Sequence, residues 1–366
     1  MRSKESCIMS EYTITFMKNE QPKEKPQSDN LPFGKYFTDH MFIQDYSEDM
    51  GWHNPRIVPY QPLVIDPAAM IFHYGQTIFE GLKAYRTPQG EIQLFRPDKN
   101  MERLNRSNRR MCIPEIDEKF AIDAIKHLLH IDQEWVPNTP GTSLYIRPFI
   151  IATEPFLGVR PSKNYQFIVI LSPVGAYYET GINPVKIAVE NEYVRAVKGG
   201  TGEAKTAGNY ASSMIAQEIA DKEGYAQVLW LDGLERKYIE EVGSMNVFFK
   251  VNGTVITPAL NGSILEGVTR NSVIHMLKHW DIPVEERKIS MKELYNYYQN
   301  GELEEAFGSG TAAVISPIGE LAWNDEHMII NDGITGPVST KLYQTLTGIQ
   351  YGTVKDPFDW VVKVKQ

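Results

Sequence analysis

Gly199-Gly200-Thr201-Gly202-Glu203-Ala204-Lys205-Thr206-Ala207-Gly208-Asn209-Tyr210 decides the reading of this chain, because it sets one long amine among residues with almost no side-chain bulk. A lysine with space around its nitrogen can form an imine with a carbonyl, provided that burial or a neighbouring cation lowers its pKa. The same stretch, taken alone, also fits a solvated lysine on a flexible loop, and Lys198 is placed nearly as well. The glycines match no familiar phosphate signature. Lys205 stands where a dinucleotide fingerprint starting at Gly200 needs its third glycine, and no Gly-Lys-Ser/Thr follows at P-loop spacing.

Moving outward, Tyr210 comes five residues after Lys205, at the start of a helix predicted over Asn209 to Lys222. Glu241 lies in Glu240-Glu241-Val242-Gly243-Ser244-Met245-Asn246, just before an apolar hairpin strand. Pyridoxal phosphate asks four things of a protein: an imine lysine, a carboxylate on its pyridine nitrogen, a donor to its phenolic oxygen and a phosphate cradle. Lys205, Glu241 and Tyr210 are candidates for the first three. A helix starting near Val268-Thr269 offers free N–H groups and its dipole to an anion. Thr311, on the turn Gly308-Ser309-Gly310-Thr311, adds a hydroxyl, and Arg103 adds a countercharge.

The rest of the chain reads as alternating elements. Ile92 to Phe95, Ser143 to Ala152, Tyr165 to Ser172, Val185 to Val189 and Val228 to Leu231 have the apolar character and length of strands. Asn246 to Thr257 reads as a hairpin turning at Asn252-Gly253. Phe120 to Trp135 reads as a helix with Ile122, Ile125 and Leu129 on one face. Val268 to Trp280 reads as another, with Val273, Leu277 and Trp280 inward. The chain has 366 residues, which suggests two domains at ~150 residues each. The expected division is a flexible arm over 1–30, a smaller α/β domain over 31–177, a linker over 178–184, and a larger domain over 185–366. The class is α/β or α+β.

Composition narrows the function. Hydrophobic residues at 42% and charged residues at 23% are globular values and exclude a disordered chain. The net charge of −9, with no Lys/Arg block longer than two, argues against a nucleic-acid partner. No apolar run approaches the ~18 residues of a membrane span, and the polar first ten residues do not read as a secretory signal. A soluble, cytoplasmic protein is expected, so the glycosylation-like triplets at Asn105, Asn252 and Asn261 are read as chance. Cys7 and Cys112 are too few for a disulfide framework or a thiolate metal centre. Cys112 is expected to be a packing residue. His275 and His279 share a helix face, but Met276 stands where a zincin carries its Glu, so no metal is expected. No Gly-x-Ser-x-Gly elbow is present.

Several segments then fit one family together, in order: Phe79-Glu80-Gly81-Leu82-Lys83-Ala84-Tyr85, Leu144-Tyr145-Ile146-Arg147-Pro148, Pro173-Val174-Gly175-Ala176-Tyr177, Lys205 to Tyr210, Gln227 to Asp232, Glu241 to Asn246, and Phe307 to Ala312. From about Phe33 to Tyr351 the chain resembles the branched-chain amino acid aminotransferases among the fold type IV pyridoxal-phosphate enzymes, in their longer subgroup. The resemblance implies a small N-terminal α/β domain and a larger C-terminal pseudo-barrel domain, pyridoxal 5'-phosphate as cofactor, and a homodimer. It implies reversible transfer of the amino group of leucine, isoleucine or valine to 2-oxoglutarate, giving glutamate.

Carried over by position, Lys205 would hold the cofactor, Tyr210 would meet its phenolic oxygen and Glu241 its ring nitrogen. Arg103, Val268, Thr269 and Thr311 would hold the phosphate. Phe33, Tyr74, Phe79, Tyr145, Arg147 and Tyr177 would form the substrate pocket, with Tyr74 reaching in from the partner subunit. The backbone at Thr311 and Ala312 would receive the α-carboxylate. Vertebrate relatives carry a Cys-x-x-Cys pair where this chain has Ala313 and Ser316, so thiol control at this place is not expected. The rival readings are a D-amino acid aminotransferase, an aminodeoxychorismate lyase, or a cofactor-free scaffold of the same fold. The first two generally lack the Tyr145-x-Arg147 pair, and the presence of both Lys205 and Glu241 argues against the third.

Overall fold

A computed structural model describes residues 6–9, 12–27, 31–175 and 182–364. The chain divides into two compact units, Met1–Tyr177 with Gly348–Gln366, and Tyr178–Thr347. Of the expected linker, 178–181 lie outside the described residues.

The first unit is built on one sheet. Its strands are β1 (Ser6–Met9), β2 (Tyr12–Phe16), β3 (His40–Ser47), β4 (Gly51–Pro59), β5 (Thr77–Phe79), β6 (Leu82–Arg86), β7 (Ile92–Phe95), β8 (Ser143–Ala152) and β9 (Asn164–Val174). They lie in the order β1-β2-β4-β3-β9-β8-β6-β7, with β5 on β8. Helices α1 (Met70–Tyr74), α2 (Pro97–Arg110) and α3 (Glu118–Ile131) join them. α3 starts two residues before the expected Phe120 because the Asp117 side chain caps it, accepting from Phe120 N at 2.9 Å. Strand alternation sends Leu82, Ala84, Leu144, Ile146, Phe167 and Leu171 to one face. There they share a core with Leu104 of α2 and with Ala124 and Leu128 of α3. The other face carries Lys83, Tyr145, Arg147 and Ser172, as the register Lys83↔Tyr145↔Ser172 requires.

Two expectations about the chain ends are corrected. The C-terminal strand Val361–Val364 pairs antiparallel with β7 and packs Val364 into the same core, so 348–366 belongs to the first unit and not to the second. An unpaired β7 edge recruits it. The arm expected over 1–30 contains β2, which joins β4 through Thr15↔Arg56 and Phe16↔Ile57, with Ile14 buried in the core. The alternating, β-rich Tyr-Thr-Ile-Thr-Phe run accounts for that pairing.

The second unit closes a barrel. Its strands are β10 (Val185–Val189), β11 (Gln227–Leu231), β12 (Ile239–Val242), β13 (Met245–Val251), β14 (Thr254–Thr257), β15 (Val284–Glu286), β16 (Leu303–Gly310), β17 (Val314–Trp323) and β18 (Glu326–Ile329). Six of them form a ring, β10-β11-β12-β13-β16-β17 and back to β10. Ile187, Leu229, Leu231, Val242, Val247, Phe249 and Leu321 fill one apolar cluster of this unit. The opposite strand positions form a row, Trp230↔Glu241↔Asn246↔Ser309, across four strands. The β13–β14 hairpin turns at Asn252-Gly253, with φ of 48° and 79°, as the sequence predicts.

The helix expected over Asn209 to Lys222 is instead α4 (Ala207–Ala211) and α5 (Met214–Lys222). Ser212 and Ser213 hydroxyls donate to the carbonyls of Asn209 and Tyr210, the local bonding by which serines interrupt a helix. The remaining helices are α6 (Val268–His279), α7 (Met291–Gln299) and α8 (Pro337–Gln350). In α6, Val273 and Leu277 are buried as expected, whereas Trp280 is only half-buried, with Lys341 over its ring. Among the described residues, no helix is long and apolar enough to cross a membrane.

Candidate active site

The glycine-rich stretch is a packed structure and not a loose loop. Asn209 donates from its amide to the carbonyls of Thr201 and Ala204, both at 2.8 Å, and accepts from the Thr201 hydroxyl at 2.7 Å. Gly202 is glycine for lack of room: an added Cβ would strike the Ser263 carbonyl. Lys205, half-buried on this frame, donates from Nζ to the Tyr210 hydroxyl at 2.6 Å. Lys198 is exposed. The ambiguity between the two lysines therefore narrows to the one that meets the tyrosine.

Glu241 lies on β12 and is buried. Its Oε2 stands 2.6 Å from Arg195 Nη2, and its Oε1 accepts from Asn246 Nδ2 at 3.2 Å. Burial pushes the Glu241 carboxyl up; Arg195 pulls it down, neighbouring Glu240 pushes it up, and Lys205 pulls it down more weakly. Arg195 is itself held by the Ser263 carbonyl, and its buried Nε has no hydrogen-bond partner among the described residues. A lysine amine, a tyrosine hydroxyl and a buried, partly neutralised carboxylate form the donor set that a pyridine aldehyde needs. The chemistry of these residues fits that cofactor.

α6 begins at Gly267 with no side-chain cap and no acid in its first turn, and Val268 and Thr269 are buried. Its first amides suit an anion. Gly267 has no room for a Cβ because the Asn246 amide occupies the space, so one asparagine touches both Glu241 and this helix start. Thr311 and Ala312 lie on the three-residue turn between β16 and β17, both half-buried. The turn ends at Val314 with φ of 62°, a left-handed conformation that costs a β-branched residue about 1–2 kcal/mol. The Gly308-Ser309-Gly310 part of the expected turn is strand, with Gly308 and Gly310 against Met245.

In the first unit, four of the expected pocket residues meet. Phe33 packs edge-on to Tyr145 with ring centres 4.9 Å apart, and the Arg147 guanidinium lies 4.9 Å from the Phe79 ring centre. Arg147 Nη2 donates to the Tyr145 hydroxyl at 3.2 Å. Gly81 cannot carry a Cβ because that hydroxyl occupies the place. Tyr74 lies on α1, where its hydroxyl donates to the Leu157 carbonyl. Tyr177 falls outside the described residues. Arg103, buried on α2, is bidentate to Glu80, with Nε at 2.7 Å and Nη2 at 2.9 Å. His275 and His279 are exposed, and no cluster of metal-ligating groups exists among the described residues. Cys112, expected to pack, is exposed at a left-handed φ of 55°.

Sequence reading assigned no role to Arg195, Asn246, Asn209 or Lys83. Arg195 lies 46 residues before its partner Glu241, in an irregular stretch where no periodicity singles it out. Asn209 and Asn246 stand inside the quoted motifs, so their signal was present without a role attached.

Residues 77–321 match the family model for class IV amino-transferases. The branched-chain-amino-acid aminotransferase 2 of Bacillus subtilis (strain 168) is 63% identical, over 97% of this chain and 98% of its own length. Among solved structures, a branched-chain amino acid aminotransferase of Escherichia coli aligns with a TM-score of 0.76 at 26% identity, covering 89% of this chain and 99% of that one. The branched-chain aminotransferase of the thermophilic archaeon Thermoproteus uzoniensis, solved with norvaline, aligns with a TM-score of 0.73 at 25% identity, covering 88% and 100%.

Proposed function

The chain belongs to the class IV amino-transferases and is a branched-chain-amino-acid transaminase, and on that premise we propose that it holds pyridoxal 5'-phosphate at Lys205 and exchanges amino groups between leucine, isoleucine or valine and 2-oxoglutarate. The observation that carries the reading is Lys205 itself: a half-buried amine on a rigid small-residue frame, 2.6 Å from the Tyr210 hydroxyl. When bound, the cofactor supplies an electron sink and carries the amino group between the two substrates.

Everything else falls to side chains and backbone of the protein. Lys205 Nζ is the base that takes the proton from the substrate's α-carbon and returns one in the reverse half-reaction. Tyr210 orients that amine through its hydroxyl. Glu241, steadied by Arg195 and Asn246, would accept from the cofactor's ring N–H and so keep that nitrogen protonated. The first amides of α6 at Val268 and Thr269 and the Thr311 hydroxyl would hold the phosphate, and Arg103 would supply its countercharge. The backbone at Thr311 and Ala312 takes the α-carboxylate. Phe33, Phe79, Tyr145 and the partner subunit's Tyr74 would surround the alkyl side chain, each buried CH₂ being worth about 0.8 kcal/mol.

A homodimer in the cytoplasm accords with this reading. Phe72, Leu157 and Val159 are 60%, 65% and 85% exposed around α1, where Tyr74 bonds the Leu157 carbonyl. Such an apolar patch is the kind of surface a second copy covers. The test of function is direct. Purified protein should absorb in the visible and convert leucine plus 2-oxoglutarate to the branched 2-oxo acid and glutamate with ping-pong kinetics. A colourless protein that cofactor addition cannot colour, with no glutamate formed, overturns the proposal.

A further inference from the structure

Lys83 is a buried ionisable group on the Tyr145 side of the first unit's sheet, and nothing above gives it a task. It lies on β6 directly opposite Tyr145 of β8, which in turn lies opposite Ser172 of β9. Arg147 follows Tyr145 by two residues on the same strand and shares its face. Leu82 and Ala84, on either side of Lys83, point the other way into the helix-covered core. The strand register thus places an ammonium, a phenol and a guanidinium on one patch of sheet. Lys83 is only 8% exposed, and burial alone brings its pKa down to about 8.

We propose that Lys83 is a specificity-determining residue: with Arg147 and the Tyr145 hydroxyl it receives the side-chain carboxylate of the dicarboxylic co-substrate. This rests on the proposed function, with Tyr145 and Arg147 in the substrate pocket, and sets a second cation beside Arg147. Arg147 lies against the Phe79 ring, and Tyr145 meets Phe33 edge-on, so apolar surface sits beside the charges on the same patch. A branched alkyl chain can use the rings, and a carboxylate can use the cations. In a desolvated place an ammonium attracts a carboxylate far more strongly than it does in water.

A carboxylate arriving beside Lys83 favours its charged form, so binding a dicarboxylate near pH 8 takes up a proton. The other titratable groups that the register brings to this face are Tyr85 on β6, Tyr145 and Arg147 on β8, Asp45 on β3, His53 and Arg56 on β4, and Lys363 on the C-terminal strand; Asp45 is paired with Arg56 and Lys363 with Glu91. The Tyr85 hydroxyl is pushed well up by burial, beyond the range of the experiment. A branched monocarboxylate, which leaves the cations unused, takes up none.

The experiment is titration calorimetry of the holoenzyme at pH 8 with glutarate and with 4-methylvaleric acid, in two buffers of different ionisation enthalpy. Glutarate should bind with uptake of about half a proton and 4-methylvaleric acid with almost none. Lys83→Met should abolish the uptake and weaken glutarate roughly tenfold more than the branched acid. Lys83→Arg, which keeps a permanent charge, should retain glutarate binding without the uptake. Equal weakening of both ligands by Lys83→Met, or uptake that persists in that variant, overturns the assignment. Leucine transamination by the wild-type protein is assayed alongside. Its absence would count against the proposed function, whereas an active enzyme indifferent to Lys83→Met counts against this inference alone.

Discussion

Arg195 Nη2 stands 2.6 Å from Oε2 of Glu241, and both side chains are buried. Removing one member of such a pair leaves a buried charge uncompensated and costs about 3–5 kcal/mol. Burial already raises the Glu241 carboxyl, and Arg195 is the strongest influence opposing it. Arg195→Met therefore raises that pKa further. The ionised form that a ring N–H needs then appears only at higher pH, and the acid limb of the kcat profile moves upward. A profile with an unmoved acid limb would show that Arg195 is structural only.

Gly202 has no room for a side chain, since a Cβ there meets the Ser263 carbonyl and the Ala196 methyl. Neither is the free end of a flexible group, so Gly202→Ala must shift the frame that carries Lys205. A loss of about 1–3 kcal/mol is expected, with weaker cofactor retention on dialysis. Gly208, beside which nothing lies within 4 Å, is the control: Gly208→Ala should retain cofactor as the parent does.

That contrast shows what the sequence makes legible. Lys205, Tyr210 and Glu241 could be picked out because small residues, helix position and a following apolar strand mark them locally. The hairpin at Asn252-Gly253 was legible because two left-handed residues in a row demand that pair. The frame under Lys205 was not: glycines signal freedom in a sequence, and only the packing of Asn209 and Ser263 reveals that Gly202 is confined. Arg195 and Lys83 acquire meaning from residues 46 and 62 positions away. The C-terminal strand joins β7 across more than 260 residues, a pairing that no local pattern announces.

Arg147 bonds the Tyr145 hydroxyl and lies over the Phe79 ring, so it serves charge and packing together. Arg147→Gln keeps a donor and loses the charge. Single-turnover absorbance should show the glutamate half-reaction falling at least roughly tenfold more than the leucine half-reaction, a difference of about 1.4 kcal/mol. Equal losses in both would reject a dual-substrate role.

Burial lowers Lys83 from the ordinary lysine value to about 8. A base whose pKa is lower folded than unfolded costs stability wherever the unfolded chain would hold the proton more tightly. The cost is full below pH 8, shrinks as pH rises from there, and vanishes near the unfolded value of about 10.4. Lys83→Met should therefore stabilise the protein at pH 7, by at most about 3 kcal/mol, and the gain should fade by pH 10. Urea midpoints at the two pH values measure it; a gain that grows with pH contradicts the burial argument.

The central claim is that Lys205 carries the cofactor, and borohydride reduction of the holoenzyme followed by peptide mapping tests it most directly. The pyridoxyl label should appear on the peptide containing Lys205, and Lys205→Ala should lose both the label and the visible absorbance while Lys198→Ala keeps them. A label on Lys198, or one that survives in Lys205→Ala, would contradict the account.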